Sequence, residues 1–139
     1  MSFALRAATI DDVGGLLEMW QVAAENAGRP ADTRQAVTAL LGRDPGALIV
    51  AERDSELIGS VIAGWDGWRC HLYRLAVRPE WRRKGVASAL LRAAEARFRS
   101  LGGGRADAMV FDDNDLGQNL WRAGGYGRQD DWRRWVKTL

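Results

Sequence analysis

Arg82-Arg83-Lys84-Gly85 puts three cations and a glycine between a strand-like run and an apolar-striped helix. The strand is Leu72 to Val77, rich in aromatic and branched residues, and Arg78-Pro79-Glu80 breaks it because proline cannot continue a central ladder. The helix places Val86, Leu90, Leu91, Ala94 and Phe98 on one stripe. The first N–H groups of a helix have no partner within it, and the macrodipole adds about half a positive charge there. Gly85 removes a side chain where a phosphate would approach the backbone. The chemistry predicted is binding of a phosphate or pyrophosphate. The chain holds neither G-x-x-x-x-G-K-[ST] nor G-x-G-x-x-G, which excludes the usual nucleotide and dinucleotide loops.

A second group of candidates lies just upstream. Alternation along residues 68–77 puts His71, Tyr73 and Leu75 on one strand face. An imidazole has the intrinsic pKa to accept a proton near neutrality, so His71 is a candidate base. Its alternative is a surface or structural histidine. Tyr73 is a candidate to order a water or shuttle a proton, or else a packed aromatic. Asp66 can bind an ammonium group or serve the turn it sits in. Asp107 and Met109 share one face of a later strand.

The elements that must carry these residues are legible in order. Residues 3–8 form a strand, and Thr9-x-x-Asp12 caps a helix with Val13, Leu16, Leu17, Trp20 and Ala24 inward. Asn26 to Pro30 ends it. A second helix spans about Asp32 to Leu41, with Ala36, Val37, Leu40 and Leu41 inward. Strands at 47–52, 57–65 and 68–77 follow, joined by Arg53–Glu56 and Asp66-Gly67 turns. Gly59 and Gly64 mark a bulge or a close approach. After the long helix, a strand over 105–111, a short helix and one or two strands within 126–136 complete the order. Strands 72–77 and 105–111 are joined by one helix, so they are expected to be parallel neighbours.

Composition bounds the rest. The 139 residues predict one domain with a real core, since 47% are apolar and 27% charged. Twenty basic against 18 acidic residues is too balanced for nucleic acid or an anionic membrane as main partner. One cysteine excludes an internal disulfide, and one cysteine with one histidine is too few for a usual zinc site, so no metal is expected. No apolar run has the length of a membrane span and no signal-peptide pattern opens the chain, so a cytoplasmic protein is expected.

Arg82-x-x-Gly85-x-Ala87 resembles the [QR]-x-x-G-x-[GA] signature of the GCN5-related N-acetyltransferase superfamily. Downstream, Asn114-x-x-Gly117-x-x-Leu120-Trp121-x-x-x-Gly125-Tyr126 is similar to that family's N-x-x-A-x-x-L-Y-x-x-x-G-F. The stretch from Ala51 to Val77 looks most like small bacterial acetyltransferases of unassigned substrate. The resemblance covers nearly the whole chain and implies a single acetyltransferase domain over residues 1–139. It implies an α/β (α+β) fold with a mixed, mostly antiparallel twisted sheet, helices on both faces and a splayed parallel strand pair.

The implied activity is transfer of an acetyl group from acetyl-CoA, as co-substrate, to a primary amine of a small molecule or peptide. A backbone N–H around Leu75 and Ala76 would polarise the thioester carbonyl, and the backbone near Val77 would pair with pantetheine. Arg82, Arg83, Lys84, Gly85, Val86, Ala87 and Ser88 would hold the pyrophosphate. Asn114 would cap its helix and touch the pantetheine amides, Gly117 would keep room for the cofactor, and Trp121 would lie by the thioester.

Two departures matter. Trp121 stands where many relatives have a proton-donating tyrosine, and indole has no usable acidity. Met109 stands where a glutamate sometimes serves as base. These departures keep open a catalytically weak acyl-CoA-binding or sensor module. Expected partners are an acyl-CoA and an amine, in a monomer or homodimer.

Overall fold

The computed structural model describes residues 2–23 and 31–139. The expected first-helix terminus over 26–30, and Ala24, lie outside the described residues. The chain divides into two compact units, Met1–Met109 and Val110–Leu139.

The first unit is a five-stranded sheet in sequence order. Its strands are β1 (Ala4–Ala7), β2 (Leu48–Arg53), β3 (Glu56–Trp65), β4 (Cys70–Val77) and β5 (Ala106–Ala108). The first four pair antiparallel and β4 pairs parallel with β5. The helices of this unit are α1 (Val13–Ala23), α2 (Arg34–Arg43) and α3 (Val86–Leu101). The mixed, mostly antiparallel sheet matches expectation.

Alternation on β3 shows that the helices cover opposite faces. A side chain at Gly59 would meet Val86 and Leu90 of α3, while neighbouring Ser60 accepts a hydrogen bond from Trp20 of α1. The α1 face holds a core of Val13, Leu16, Met19, Trp20, Val37, Leu48, Val50 and Ala76. All five residues of the predicted α3 stripe are buried. Each of its Val, Leu and Phe side chains contributes about 1.5–3 kcal/mol of burial, and the Ala94 methyl less.

Capping follows the sequence closely. The Thr9 N–H donates to Asp12 Oδ2 at 2.7 Å, and the Asp12 carboxylate also pairs with Arg6 at 2.7 Å. That capping aspartate opens a 3-10 turn over Ile10–Asp12 before α1 begins. The second helix starts later than expected because Thr33 caps it, its hydroxyl accepting the Ala36 N–H at 3.0 Å. Ala36 is therefore on the first turn and exposed, correcting its inward assignment, and Val37 is the buried residue of α2. Met19, not singled out from the sequence, is fully buried.

Both suspected strand glycines mark close approach. A Cβ on Gly59 would lie 2.9 Å from Val86 Cγ1 and 3.1 Å from the Ala76 carbonyl oxygen. The bare backbone thus lets the start of α3 rest directly on β3. A Cβ on Gly64 would lie 3.2 Å from the Tyr73 ring.

β5 is shorter than the expected 105–111. It pairs only through Cys70↔Ala106, His71↔Asp107 and Leu72↔Ala108, so β4 continues from Tyr73 to Val77 with no β5 partner. The expected parallel β4–β5 pair is therefore present over these three residues, and β4 runs on beyond it.

The second unit contains α4 (Asp115–Ala123). The strands expected within 126–136 do not form; among the described residues 124–139 carry no strand. Repeated charges and exposed Trp132 and Trp135 leave that segment without the buried alternating face a strand needs. No helix among the described residues is long and apolar enough to cross a membrane.

Candidate active site

The turn after β4 has the backbone of an anion cradle. Pro79–Trp81 forms a single 3-10 turn, then Arg83 and Gly85 both take left-handed conformations, at φ 61° and 84°. Alternating left-handed residues turn successive N–H groups toward one concavity. The first i→i−4 bond of α3 runs from the Ala89 N–H to the Gly85 carbonyl, so the amides of Val86, Ala87 and Ser88 lie ahead of it. No side chain caps them.

Val86 is buried beneath this turn, while Arg82, Arg83, Lys84 and Ser88 are exposed around it. The Lys84 ammonium lies 5.8 Å from the Trp81 ring centroid and the Arg53 guanidinium 5.6 Å from it, so the indole gathers two cations beside the loop. A Cβ on Gly85 would meet nothing within 4 Å. The residues present fit a pyrophosphate: a glycine in left-handed conformation, open space in front of it, unclaimed helix amides and flanking cations.

Eight residues upstream, β4 departs from regular pairing. Ser60 pairs with Ala76 and Ile62 with Tyr73, so three β4 steps face two on β3. The extra residue is a bulge at Arg74 and Leu75, with Arg74 at φ 52°. This corrects the predicted alternation. Tyr73 and Ala76 lie on the same face although three residues apart, so Leu75 does not follow His71 and Tyr73 onto theirs. The bulge lies beyond the last β4–β5 pair, Leu72↔Ala108, where β4 has no β5 partner.

Arg74 is held from two sides. Its guanidinium donates to Asp32 Oδ1 at 2.8 and 3.1 Å and stacks 5.7 Å from the Trp20 ring centroid. Its carbonyl accepts the Ser60 hydroxyl at 2.8 Å.

His71 and Tyr73 share a face, as expected, with ring centroids 6.1 Å apart. The parallel register sets His71 opposite Asp107, and His71 Nδ1 lies 2.7 Å from Asp107 Oδ1. With Asp107 ionised, Nδ1 carries the proton and donates it, leaving the Nε2 lone pair outward. Asp66 Oδ2 lies 3.7 Å from Nε2. The Arg69 and Trp68 N–H groups donate to Asp66 at 2.7 and 2.8 Å and hold its carboxyl below the usual range. Asp66 therefore serves its turn through Oδ1, while its Oδ2 faces the imidazole. A shallow cavity of about 180 Å³, lined in part by Trp68, Arg105 and Asp107, keeps the Asp107 carboxylate open to solvent.

Within the second unit, the Asn114 to Tyr126 motif is a fully capped helix. Asn114 Oδ1 accepts the Gly117 N–H at 2.9 Å, and a Cβ on Gly117 would strike the Asn114 side chain. At the other end the Gly125 N–H donates to the Arg122 carbonyl and the Tyr126 N–H to the Trp121 carbonyl, with Gly125 at φ 90°. This double bond pattern around a left-handed glycine is a Schellman terminus, which commonly brings the last side chain onto the helix. Tyr126 does so, packing edge-on to Trp121 at 5.0 Å. Trp121 thus has a packing role that requires no acid chemistry.

Residues missed from the sequence are Ser60, Arg74 and Asp32, together with the pairing of Asp107 to His71. Only Ser60 left a signal, as a lone hydroxyl within an apolar run.

This arrangement can be set against known proteins. The sequence pattern of the Acetyltransferase (GNAT) family matches residues 15–126. An acetyltransferase of Pectobacterium atrosepticum is 34% identical over 106 residues, covering 76% of this chain and 74% of that protein. The fold is shared with a PaiA N-acetyltransferase from Thermoplasma acidophilum solved with coenzyme A, at TM-score 0.80, 21% identity and 94% and 92% coverage of the two chains. It is shared too with an aminoglycoside 6′-N-acetyltransferase from Acinetobacter haemolyticus, at TM-score 0.77, 19% identity and 98% and 99% coverage. The family pattern and the 34% identical relative show that the chain belongs to the GNAT acetyltransferase family and is an acyl-CoA-dependent acetyltransferase.

Proposed function

We propose that this protein transfers the acetyl group of acetyl-CoA to a primary amine of a small molecule or peptide, by direct attack in a ternary complex. The observation that carries this reading is the β4 bulge at Arg74–Leu75, set at the splayed end of β4 and β5 and followed by the open start of α3. The Leu75 N–H donates to the thioester carbonyl oxygen and stabilises the charge that develops there. As the new C–N bond is kept the C–S bond breaks, and CoA leaves as its thiolate, which takes a proton from solvent. Ala76 and Val77 offer strand-like backbone to the pantetheine amides. The left-handed turn at Arg83 and Gly85, with the Val86, Ala87 and Ser88 amides, holds the pyrophosphate, and Arg82 and Lys84 neutralise it.

His71 accepts the proton of the incoming ammonium at Nε2, with Asp107 fixing its tautomer. Asp66 adds negative potential beside Nε2, which draws a cationic amine to the ring. Tyr73, on the same face, orders the water that links this proton to the attacking nitrogen. The match over residues 15–126 supports treating the chain as one functional domain.

The test is two-stage. Acetyl-CoA should raise Tm, because a ligand of the native state stabilises it. Thiol release is then followed over a panel of diamines, amino sugars and peptide N-termini. Binding without release on any amine would favour the sensor module, and no Tm shift at millimolar acetyl-CoA would overturn the cofactor site.

A further inference from the structure

Ser60 is the buried polar residue of the core among the described residues, at 0% exposure, and it sits between α1 and the bulge. Its hydroxyl has two neighbours. Trp20 Nε1 lies 2.8 Å away and the Arg74 carbonyl oxygen 2.8 Å away. An indole nitrogen only donates and a carbonyl only accepts, so the direction of both bonds is fixed. The chain runs Trp20 N–H to Ser60 oxygen, and Ser60 O–H to Arg74 oxygen.

The Arg74 carbonyl and the Leu75 N–H belong to one peptide group. That group is planar and trans, so its C=O and N–H point in opposite directions. Ser60 lies on β3, on one side of β4, and β5 lies on the other. The Ser60 hydroxyl projects from β3 onto the α1 face, so pinning the Arg74 oxygen to it turns the Leu75 N–H away from β3 and from that face, at a point where β4 has run past its last pair with β5 at Leu72↔Ala108. The same hydrogen bond draws electron density toward the carbonyl oxygen and strengthens the opposite N–H as a donor.

Arg74 needs such anchoring. A non-glycine residue at φ 52° is strained, and strain persists only where surroundings over-determine it. The Asp32 ion pair holds the side chain of this residue, while Ser60 holds its carbonyl.

We infer that Ser60 and Trp20 are positioning residues that aim and polarise the Leu75 N–H as oxyanion donor. This rests on the proposed acetyl transfer and names how this chain orients its reacting peptide. The two residues touch neither substrate; they act through the bulge.

The experiment compares wild type with Ser60→Ala, Ser60→Thr and Trp20→Phe. Ser60→Ala should lower kcat 10- to 100-fold, changing KM for acetyl-CoA less than threefold. The pyrophosphate cradle is untouched, so the acetyl-CoA Tm shift should persist. Ser60→Thr, which restores a hydroxyl, should recover kcat to within about fivefold of wild type. Trp20→Phe keeps a ring but loses the N–H, and kcat should fall by about five- to tenfold. A readout independent of turnover is the infrared carbonyl stretch of bound ¹³C-acetyl-CoA. It should lie below the free value in wild type and return toward it in Ser60→Ala.

Should Ser60→Ala fail to fold, the Ser60→Thr and Trp20→Phe pair carries the same comparison. Acetyl-CoA bound with an unchanged stretch, or a kcat within threefold of wild type in a folded Ser60→Ala or Trp20→Phe, overturns the inference alone. No acetyl-CoA shift in wild type overturns the functional proposal and this inference with it.

Discussion

Gly85 and Gly102 form a matched pair at the two ends of α3. Both are left-handed, at φ 84° and 96°, and a Cβ on either would meet nothing within 4 Å. Alanine at each position therefore pays the same backbone strain, about 1–2 kcal/mol. In a chain of this size that lowers Tm by roughly 3–8 °C. The two sites differ only in what lies in front of them. Acetyl-CoA at a hundred times its Kd should stabilise wild type by about 2.7 kcal/mol. Gly102→Ala should keep that increment in full.

In Gly85→Ala the methyl projects into the open space before the Val86–Ser88 amides. A hundredfold loss of affinity would leave RT ln 2, about 0.4 kcal/mol, at the same ligand concentration. Differential scanning calorimetry with and without acetyl-CoA reads both quantities. Equal ligand shifts in the two variants, whether both kept or both lost, would refute the assignment of the cradle to the pyrophosphate.

Further outcomes follow from contacts elsewhere. Gly103→Ala places a Cβ against Cys70 Sγ and 3.2 Å from the Phe98 carbonyl oxygen, so overpacking should cost about 1–3 kcal/mol. Adding Cys70→Ala should recover part of that in denaturant titrations. Asp12 is held below the ordinary carboxylate range, first by its hydrogen bonds from Arg6. A depressed folded pKa contributes stability above the unfolded value that is lost as pH falls through the folded one. Asp12→Asn should therefore cost about 1 kcal/mol at neutral pH, with the gap to wild type closing below about pH 4. His71→Gln should lower kcat/KM by about 10²–10⁴ near neutrality, the deficit narrowing at high pH where the amine arrives deprotonated. Asp107→Asn should give a smaller loss. A His71→Gln deficit independent of pH would remove His71 as proton acceptor.

Much of the fold was legible because its signals are local. The α3 stripe, the Thr9–Asp12 cap, the Asp54–Ser55 and Asp66–Gly67 turns and the two ends of α4 all depend on residues a few positions apart. The shortness of β5 and the lack of strands after Tyr126 were not legible. Whether a run such as Arg105–Phe111 is a strand depends on how long a partner stays beside it, and β4 leaves at Leu72. His71 was a candidate from its chemistry alone, but its orienting carboxylate lies 36 positions away and meets it only through the β4–β5 register.

By itself the sequence determined the anion cradle at the start of α3, which we propose receives the phosphate end of the cofactor. Gly85 fixes a left-handed residue at a helix start, and the cations beside it follow in the chain, so cradle and charge are set within six residues. Only the tertiary structure decided the conformation of the Arg74–Leu75 peptide, at which we propose the reacting carbonyl is polarised. A bulge is a mismatch of count between two strands, and neither strand shows it alone. Strict alternation would have placed Leu75 with His71 and Tyr73. The pairing of Ser60 with Ala76 and of Ile62 with Tyr73 instead inserts one residue, turns the Arg74–Leu75 peptide and gives its carbonyl to Ser60.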